Sequence, residues 1–172
     1  MQEESAYYHS PIGAISIRCN DKAIEEVLFV NTLKGPGVNE DKIEFNTGHS
    51  LLIKDCIQQL DEYFAGERKQ FELPITQSGT VFQKNVWNAL LQIPYGKTIS
   101  YLELSKRIGN VKAIRAVGTS NGKNKICIIV PCHRVIGSNG TLVGYGGDLW
   151  RKKWLLEHEA KFEFGVRGLF EQ

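Results

Sequence analysis

A chain of 172 residues is long enough for one generous domain or two small ones, and its 42% apolar and 23% charged residues are those of an ordinary soluble globular protein. The opening Met-Gln-Glu-Glu-Ser lacks the basic and apolar regions of a signal peptide, and no apolar run approaches a membrane span. No membrane partner is expected, and the location is expected to be cytoplasmic, or nuclear in a eukaryotic host. The formal net charge of +2 conceals an asymmetry: residues 1–75 hold seven Lys/Arg against thirteen Asp/Glu, a net of −6, whereas residues 76–160 hold twelve against four, a net of +8. So basic a half-chain fits either a polyanionic partner or attraction between the two halves. The four cysteines, Cys19, Cys56, Cys127 and Cys132, lack the close pairs of a zinc site and the density of a secreted disulfide scaffold. Free thiols are expected, with no metal and no cofactor.

In chain order, residues 5–30 alternate apolar and polar positions and are broken by turn signals at Pro11-Ile-Gly13 and Asn20-Asp-Lys22, which predicts two or three antiparallel strands joined by hairpins. Residues 31–41 read as loop, and residues 43–45 as a further short strand. From residue 50 to residue 65, Leu52, Cys56, Ile57, Leu60 and Phe64 recur at helical spacing, with Gly66 just past the end, so Cys56 reads as core. Residues 67–76 contain Pro74 and few helical signals. They mark the expected boundary between an N-terminal domain, residues 1–75, and a C-terminal domain, residues 76–172.

Thr80-Val-Phe-Gln83 has the form of a capping box, and Phe82, Val86, Ala89, Leu90 and Ile93 continue it as a helical stripe until Pro94-Tyr-Gly96, with Trp87 as packing. Ser100-Tyr-Leu-Glu103 is a second such box opening a short helix, Gly109-Asn110 turns the chain, and helix is predicted again over 111–120. Two short helices around a tight glycine turn have the outline of a helix-turn-helix. The second carries small residues, Ala113, Ala116, Gly118, Ser120 and Gly122, around a single long cation, Arg115. Such a surface suits either close packing inside the protein or close approach to DNA that is largely independent of base sequence.

Residues 126–130 are an unbroken apolar, β-branched run and read as a buried strand, with Pro131 removing a backbone donor just before Cys132-His133-Arg134. A thiolate nucleophile needs a neighbour that draws off its proton, and His133 and Arg134 offer a candidate base and a positive charge. Adjacent side chains on extended chain point apart, so the pair needs a kink or a bridging water. Taken alone, the pair fits a buried inert cysteine as well as a nucleophile. Beyond it, Gly137–Gly140 and Gly144–Gly147 form a glycine-rich loop around Tyr145. Asp148 reads as the cap of a last helix carrying Trp150, Trp154, Leu155 and His158, with Arg151-Lys-Lys153 on its exposed side. Residues 160–172 carry no clear signal.

Val130-Pro-Cys-His-Arg-Val135, together with Ile99-Ser-Tyr101, Ala113-Ile-Arg115-Ala-Val-Gly118, Asn124, Gly144-Tyr-Gly-Gly147 and Trp154-Leu-Leu-Glu-His-Glu159, resembles the O6-alkylguanine-DNA alkyltransferase family. The match runs from Phe82 to Glu159; residues 1–75 match only in layout. The resemblance implies an α+β protein: a small N-terminal antiparallel sheet-and-helix domain, then a mainly helical C-terminal domain with a helix-turn-helix. It implies single-turnover direct-reversal repair, in which Cys132 irreversibly takes a methyl or other alkyl group from O6 of guanine, and from O4 of thymine, in double-stranded DNA bound by a monomer. The lesion base is flipped through minor-groove binding. In these roles His133 relays a proton through water, Glu159 holds His133, and Asn124 braces the active-site turn. Arg115 fills the vacated stack and Tyr101 crowds the adjoining phosphate. Tyr145, the backbone at Cys132 and Val135, and the amide of Gly146 hold the guanine. Asp148 departs from the family pattern, standing where a glycine is common. Two readings of other classes compete, a non-catalytic helix-turn-helix regulator and a multiple-turnover cysteine hydrolase; stoichiometric transfer to Cys132 separates all three.

Overall fold

The computed structural model describes residues 2–145 and 148–165. Three antiparallel strands, β1 (Glu4–Ser10), β2 (Gly13–Cys19) and β3 (Ile24–Phe29), form a meander in the order β1-β2-β3. Tyr8 pairs with Ile15, and Ile15 in turn with Phe29. Ile15, Ile17 and Cys19, spaced by two, are buried together, which is the period a half-covered sheet requires. Residues 43–45 do not form the expected strand. Phe45 makes a single bridge to Tyr7, after which Asn46 takes φ 58° and turns the chain away.

The helix α1 (Leu51–Phe64) starts at Ser50, whose Oγ accepts from the Ile53 N–H. Its buried stripe is Ile53, Cys56, Gln59, Leu60 and Tyr63, turned slightly from the expected one; Leu52, Ile57 and Phe64 are only partly buried. Cys56 is core, as expected. Burying an aliphatic side chain such as Ile53 or Leu60 contributes about 1.5–3 kcal/mol.

An exposed strand edge would invite pairing with another chain, and here β3's outer edge is covered from within. The Ile24 N–H donates to Pro74 O (2.8 Å) and the Thr76 N–H to Ile24 O (2.9 Å). Further along, the Val27 N–H donates to Lys125 O (2.8 Å) and the Cys127 N–H to Val27 O (2.9 Å). The chain just before Cys132 is therefore fastened to the N-terminal sheet.

The remaining elements are α2 (Val81–Leu90), β4 (Ile99–Ser100), α3 (Tyr101–Arg107), α4 (Ile114–Gly122), β5 (Val135–Ile136) and α5 (Leu149–Phe164). Both hydrogen bonds of the Thr80–Gln83 capping box are formed. At Ser100 only half of the second box is present: Ser100 accepts from the Glu103 N–H, while the Glu103 carboxylate pairs with Arg107 at 3.3 Å. The turn between α3 and α4 passes through Gly109 at φ 80°, a conformation that L side chains rarely adopt. Residues 111–112 form turn and Ala113 takes the N-cap position, so α4 begins at Ile114, three residues later than expected. Trp87 packs as expected, its indole N–H donating to Ser120 O at 2.9 Å.

Asp148 occupies the N-cap position of α5 without capping it; its carboxylate pairs with Arg151 at 3.0 Å. At φ 82°, ψ 146° it sits in backbone territory that glycine adopts far more readily, a strain of about 1–3 kcal/mol. The exposed ion pair with Arg151 offsets little of this. Asp148→Gly is expected to raise the midpoint of urea unfolding by the equivalent of about 1 kcal/mol, part of the relief being returned as chain entropy of the unfolded state. An unchanged or lower midpoint would show that the backbone is not strained there.

Candidate active site

Residues 126–130 are not a strand. Ile126 makes one bridge to Val27, and the chain then folds into a turn in which the Val130 N–H donates to Ile126 O (2.9 Å) and the Ile129 N–H to Cys127 O (2.8 Å). Ile128, β-branched, is held at φ 73°. Local β propensity is overridden by the fully buried Asn124. Its Oδ1 accepts from the Ile126 N–H (3.0 Å) and from Gln77 (2.8 Å), and its Nδ2 donates to Val130 O (2.8 Å) and Ile126 O (3.4 Å). Beyond Pro131, Cys132–Arg134 form a 3₁₀ turn, so the thiol sits on a turn within the fold and not at a strand's exit. The carbonyl of Cys132 accepts from Asn121 Nδ2 (3.3 Å) and from the N–H of buried Val135, which continues into β5 alongside β4.

His133 and Glu159 are both buried, and His133 Nε2 lies 2.6 Å from Glu159 Oε2. The Tyr63 hydroxyl donates to the same oxygen (2.6 Å), Arg134 Nε donates to Oε1 (2.8 Å), and Arg134 Nη2 donates to Oε2 (3.2 Å). Burial alone would raise the Glu159 carboxyl; His133 and the Arg134 guanidinium outweigh it and hold it well below the usual carboxylate range. An ionised carboxylate only accepts, so Nε2 is the nitrogen that carries the proton. The acceptor of neutral His133 is then Nδ1, which is buried and has no hydrogen-bond partner among the described residues. Arg134, expected as a charge for the thiol, is directed to Glu159 and to Ile93 O (2.7 Å).

Around Cys132 stand the Cys127 thiol, Asn124, His133, Tyr101, Tyr145, and the ammonium groups of Lys34 and Lys152. The neighbouring Cys127 thiol is the largest influence on the Cys132 thiol; with Lys34, Asn124 and His133 it outweighs desolvation and draws the group below the ordinary cysteine range. Tyr101 opens α3, and its hydroxyl donates to Val143 O at 3.2 Å. Arg115 lies exposed in the first turn of α4. Ala116, Thr119 and Gly122 on α4 are also exposed, and a Cβ on Gly122 would meet nothing within 4 Å. This face of small side chains is not closed by packing in the core. Gly146 lies outside the described residues, as do Gly147 and residues 166–172 of the tail.

Three site residues escape the sequence reading. Lys152, expected on the exposed side of α5, is fully buried; its ammonium donates to Val143 O (2.8 Å) and Gly144 O (3.4 Å) and is pushed down to about 8 by burial. Its spacing to Leu155, Leu156 and Glu159, all buried, is the helical signal that could have found it. Tyr63 belongs to the α1 stripe and Lys34 to a loop, and neither carries a local mark of contact with the site.

Fold and site together define a class: a protein with a buried thiol next to a carboxylate-clamped imidazole, beside a helix-turn-helix. Residues 5–77 match the family model for the 6-O-methylguanine DNA methyltransferase ribonuclease-like domain, and residues 81–161 that for its DNA binding domain. A methylated-DNA–protein-cysteine methyltransferase of Methanosarcina acetivorans is 46% identical over 155 residues, covering 90% of this chain and 97% of that protein. The constitutive one of Bacillus subtilis is 58% identical over 105 residues, 60% of this chain and 64% of that one. The crystal structure of Mycobacterium tuberculosis OGT in complex with DNA is similar at 40% identity and a TM-score of 0.81, covering 92% of this chain and 93% of that one. The chain belongs to the 6-O-methylguanine DNA methyltransferase family, and the match now includes the N-terminal residues.

Glu159→Gln removes the charge that compensates buried Arg134, and an expected loss of about 3–5 kcal/mol follows. Because the folded carboxyl is depressed, Glu159 contributes its full stability above the unfolded value of about 4.3, and that contribution fades as pH falls below it. Urea unfolding from pH 7 to pH 3 is expected to show a fall in wild-type stability that is shallower in Glu159→Gln. Parallel curves would remove Glu159 as the acid-sensitive group.

Proposed function

We infer that the protein repairs alkylated DNA by direct reversal, Cys132 taking the alkyl group from O6 of a guanine flipped out of the duplex. The observation that carries this is the buried Cys132 thiol next in the chain to an imidazole whose clamped Nε2 leaves Nδ1 as the acceptor. The thiol proton passes through water to Nδ1. The sulfur then attacks the alkyl carbon: the S–C bond forms as the C–O6 bond breaks, the electron pair stays on the guanine oxygen, and the guanine takes up a proton. The product thioether resists hydrolysis, so each molecule acts once.

Asn124 braces the turn, a role supported by its four hydrogen bonds. Tyr145 and the backbone at Cys132 and Val135 hold the extruded guanine. The small-residue face of α4 approaches the minor groove, where little sequence information is available, and Arg115 fills the stack the guanine leaves. Tyr101, at the start of α3, meets the phosphate next to the lesion. The basic half of the chain is the DNA footprint, and the protein works as a monomer in the cytoplasm. Residues 1–75 act as a supporting domain for the DNA-binding and transferring part.

Cys132→Ser is expected to abolish methyl uptake from methylated duplex DNA, read by intact mass, and to keep DNA binding, whereas Cys19→Ser and Cys56→Ser retain uptake. Uptake by Cys132→Ser would overturn the assignment. Arg115→Ala is expected to slow repair of duplex DNA about tenfold or more, because the unstacking cost of a few kcal/mol is no longer offset, while the free methylated base reacts nearly as before. Equal losses on both substrates would make Arg115 a support of the site's shape. Affinity for DNA is expected to fall steeply with salt; a flat dependence would return the charge asymmetry to an internal role.

A further inference from the structure

Asn121 is the last of three buried residues on α4, after Val117 and Ser120, while Arg115, Ala116, Thr119 and Gly122 lie on the exposed side of the same helix. Its amide lies against the backbone of the nucleophile, Nδ2 donating to Cys132 O at 3.3 Å. A carbonyl oxygen only accepts, so this contact settles which end of the amide faces Cys132 and directs Oδ1 away from it. Oδ1 is buried and has no hydrogen-bond partner among the described residues. The same holds for two other atoms of the site, His133 Nδ1 and the Tyr145 hydroxyl. Alkyl transfer as described uses both of those residues, one as proton acceptor and the other against the guanine. It gives Asn121 nothing to do, yet an acceptor left unmet in the interior is costly enough to need a reason. Burial is the largest influence on the Tyr101 phenol, followed by Cys132 and then Asn121, so amide, thiol and Tyr101 share one site.

The extruded base can supply the missing donor. Alkylation at O6 removes the N1 proton of guanine, and in DNA N9 is bonded to the sugar, so the 2-amino group holds the N–H donors the lesion base has left. The O6 alkyl group and the 2-amino group flank N1 on one edge of the ring, so an alkyl carbon held at the Cys132 sulfur brings the amine to the groups around it. We propose that Asn121 is a specificity residue for alkyl transfer: Nδ2 anchors the amide on the Cys132 carbonyl, and Oδ1 accepts from the 2-amino group of the flipped guanine. The helix α4 then meets the duplex with its exposed side and the extracted base with its buried end. A site built to accept an N–H discriminates against the analogue that lacks it, because the buried acceptor stays unmet. The proposal rests on the reading of Cys132 as the alkyl acceptor. The competing role for Asn121 is that of a brace, in which Nδ2 supports the active-site turn and Oδ1 touches no substrate.

The test is the rate of methyl uptake, followed by intact mass, from one duplex sequence carrying either O6-methylguanine or O6-methylhypoxanthine, which differs in lacking the 2-amino group, for wild type and Asn121→Leu. Wild type is expected to prefer the guanine lesion, and Asn121→Leu to lower that preference about tenfold, with the loss falling on the guanine lesion. Differences in pairing between the two duplexes are common to both proteins and cancel in the comparison, as does any effect on the thiol of losing the bond to Cys132 O. Asn121→Ala decides the matter if Asn121→Leu does not fold. Equal losses on both lesions would make Asn121 a brace and overturn the proposal, as would an unchanged preference or a wild type that repairs both lesions at the same rate. If wild type takes up no methyl group from either duplex, it is the reading of Cys132 that fails.

Discussion

One buried carboxylate organises the reactive half of the molecule. Glu159 on α5 gathers four donor residues from three separate segments: the Tyr63 hydroxyl from α1, the Gly96 N–H (3.3 Å) from the turn after α2, and His133 and Arg134 from the active-site turn. A carboxylate so deep in the protein is tolerable only when its lone pairs are met, and here a guanidinium supplies charge as well as hydrogen bonds. The consequence for chemistry is a choice of tautomer. With Glu159 ionised, Nε2 of His133 is committed as donor, and the nitrogen left to accept a proton is Nδ1.

A second constraint fixes the thiol. The edge of the three-stranded sheet accepts the chain at Lys125–Cys127, and Asn124 then folds residues 126–130 into a turn that backbone preference alone would not produce. Sheet edge, amide side chain and Lys34 ammonium all converge on the few residues before Cys132. The Cys132 thiol is thus positioned from both ends, by the N-terminal sheet before it and by Glu159 after it. On the other side of the site, Lys152 ties the glycine-rich loop to α5 through Val143 and Gly144, where Tyr101 also donates.

Much of this was legible in sequence wherever the signal is local. Strand alternation, the capping box at Thr80, the glycine turn at Gly109 and the spacing of α1 are read from neighbours within a few residues, and the structure keeps them. The motif around Cys132 carried the resemblance to the family, and the family match now extends over both parts of the chain. What escaped depends on contacts distant in sequence. The β-branched run before Pro131 reads as strand until Asn124 is known to bond three of its backbone groups. Tyr63 looks like any core aromatic, and Lys34 like any loop cation, because their partners lie some ninety residues away. Arg134 carries the charge expected of it but directs it to Glu159. Asp148 shows the reverse case: it has the residue type of a helix cap, yet its backbone is held at a positive φ and its carboxylate turns to Arg151.

The central claim is that Glu159 sets the proton acceptor of His133, and nitrogen NMR of protein labelled in the histidine imidazoles tests it most directly. The account predicts that Nε2 of His133 carries a proton, with the low-field proton shift of a short hydrogen bond to a carboxylate, and that in the neutral ring Nδ1 is the nitrogen without one. A neutral His133 carrying its proton on Nδ1 would contradict the account, since the imidazole would then have no acceptor to offer the thiol.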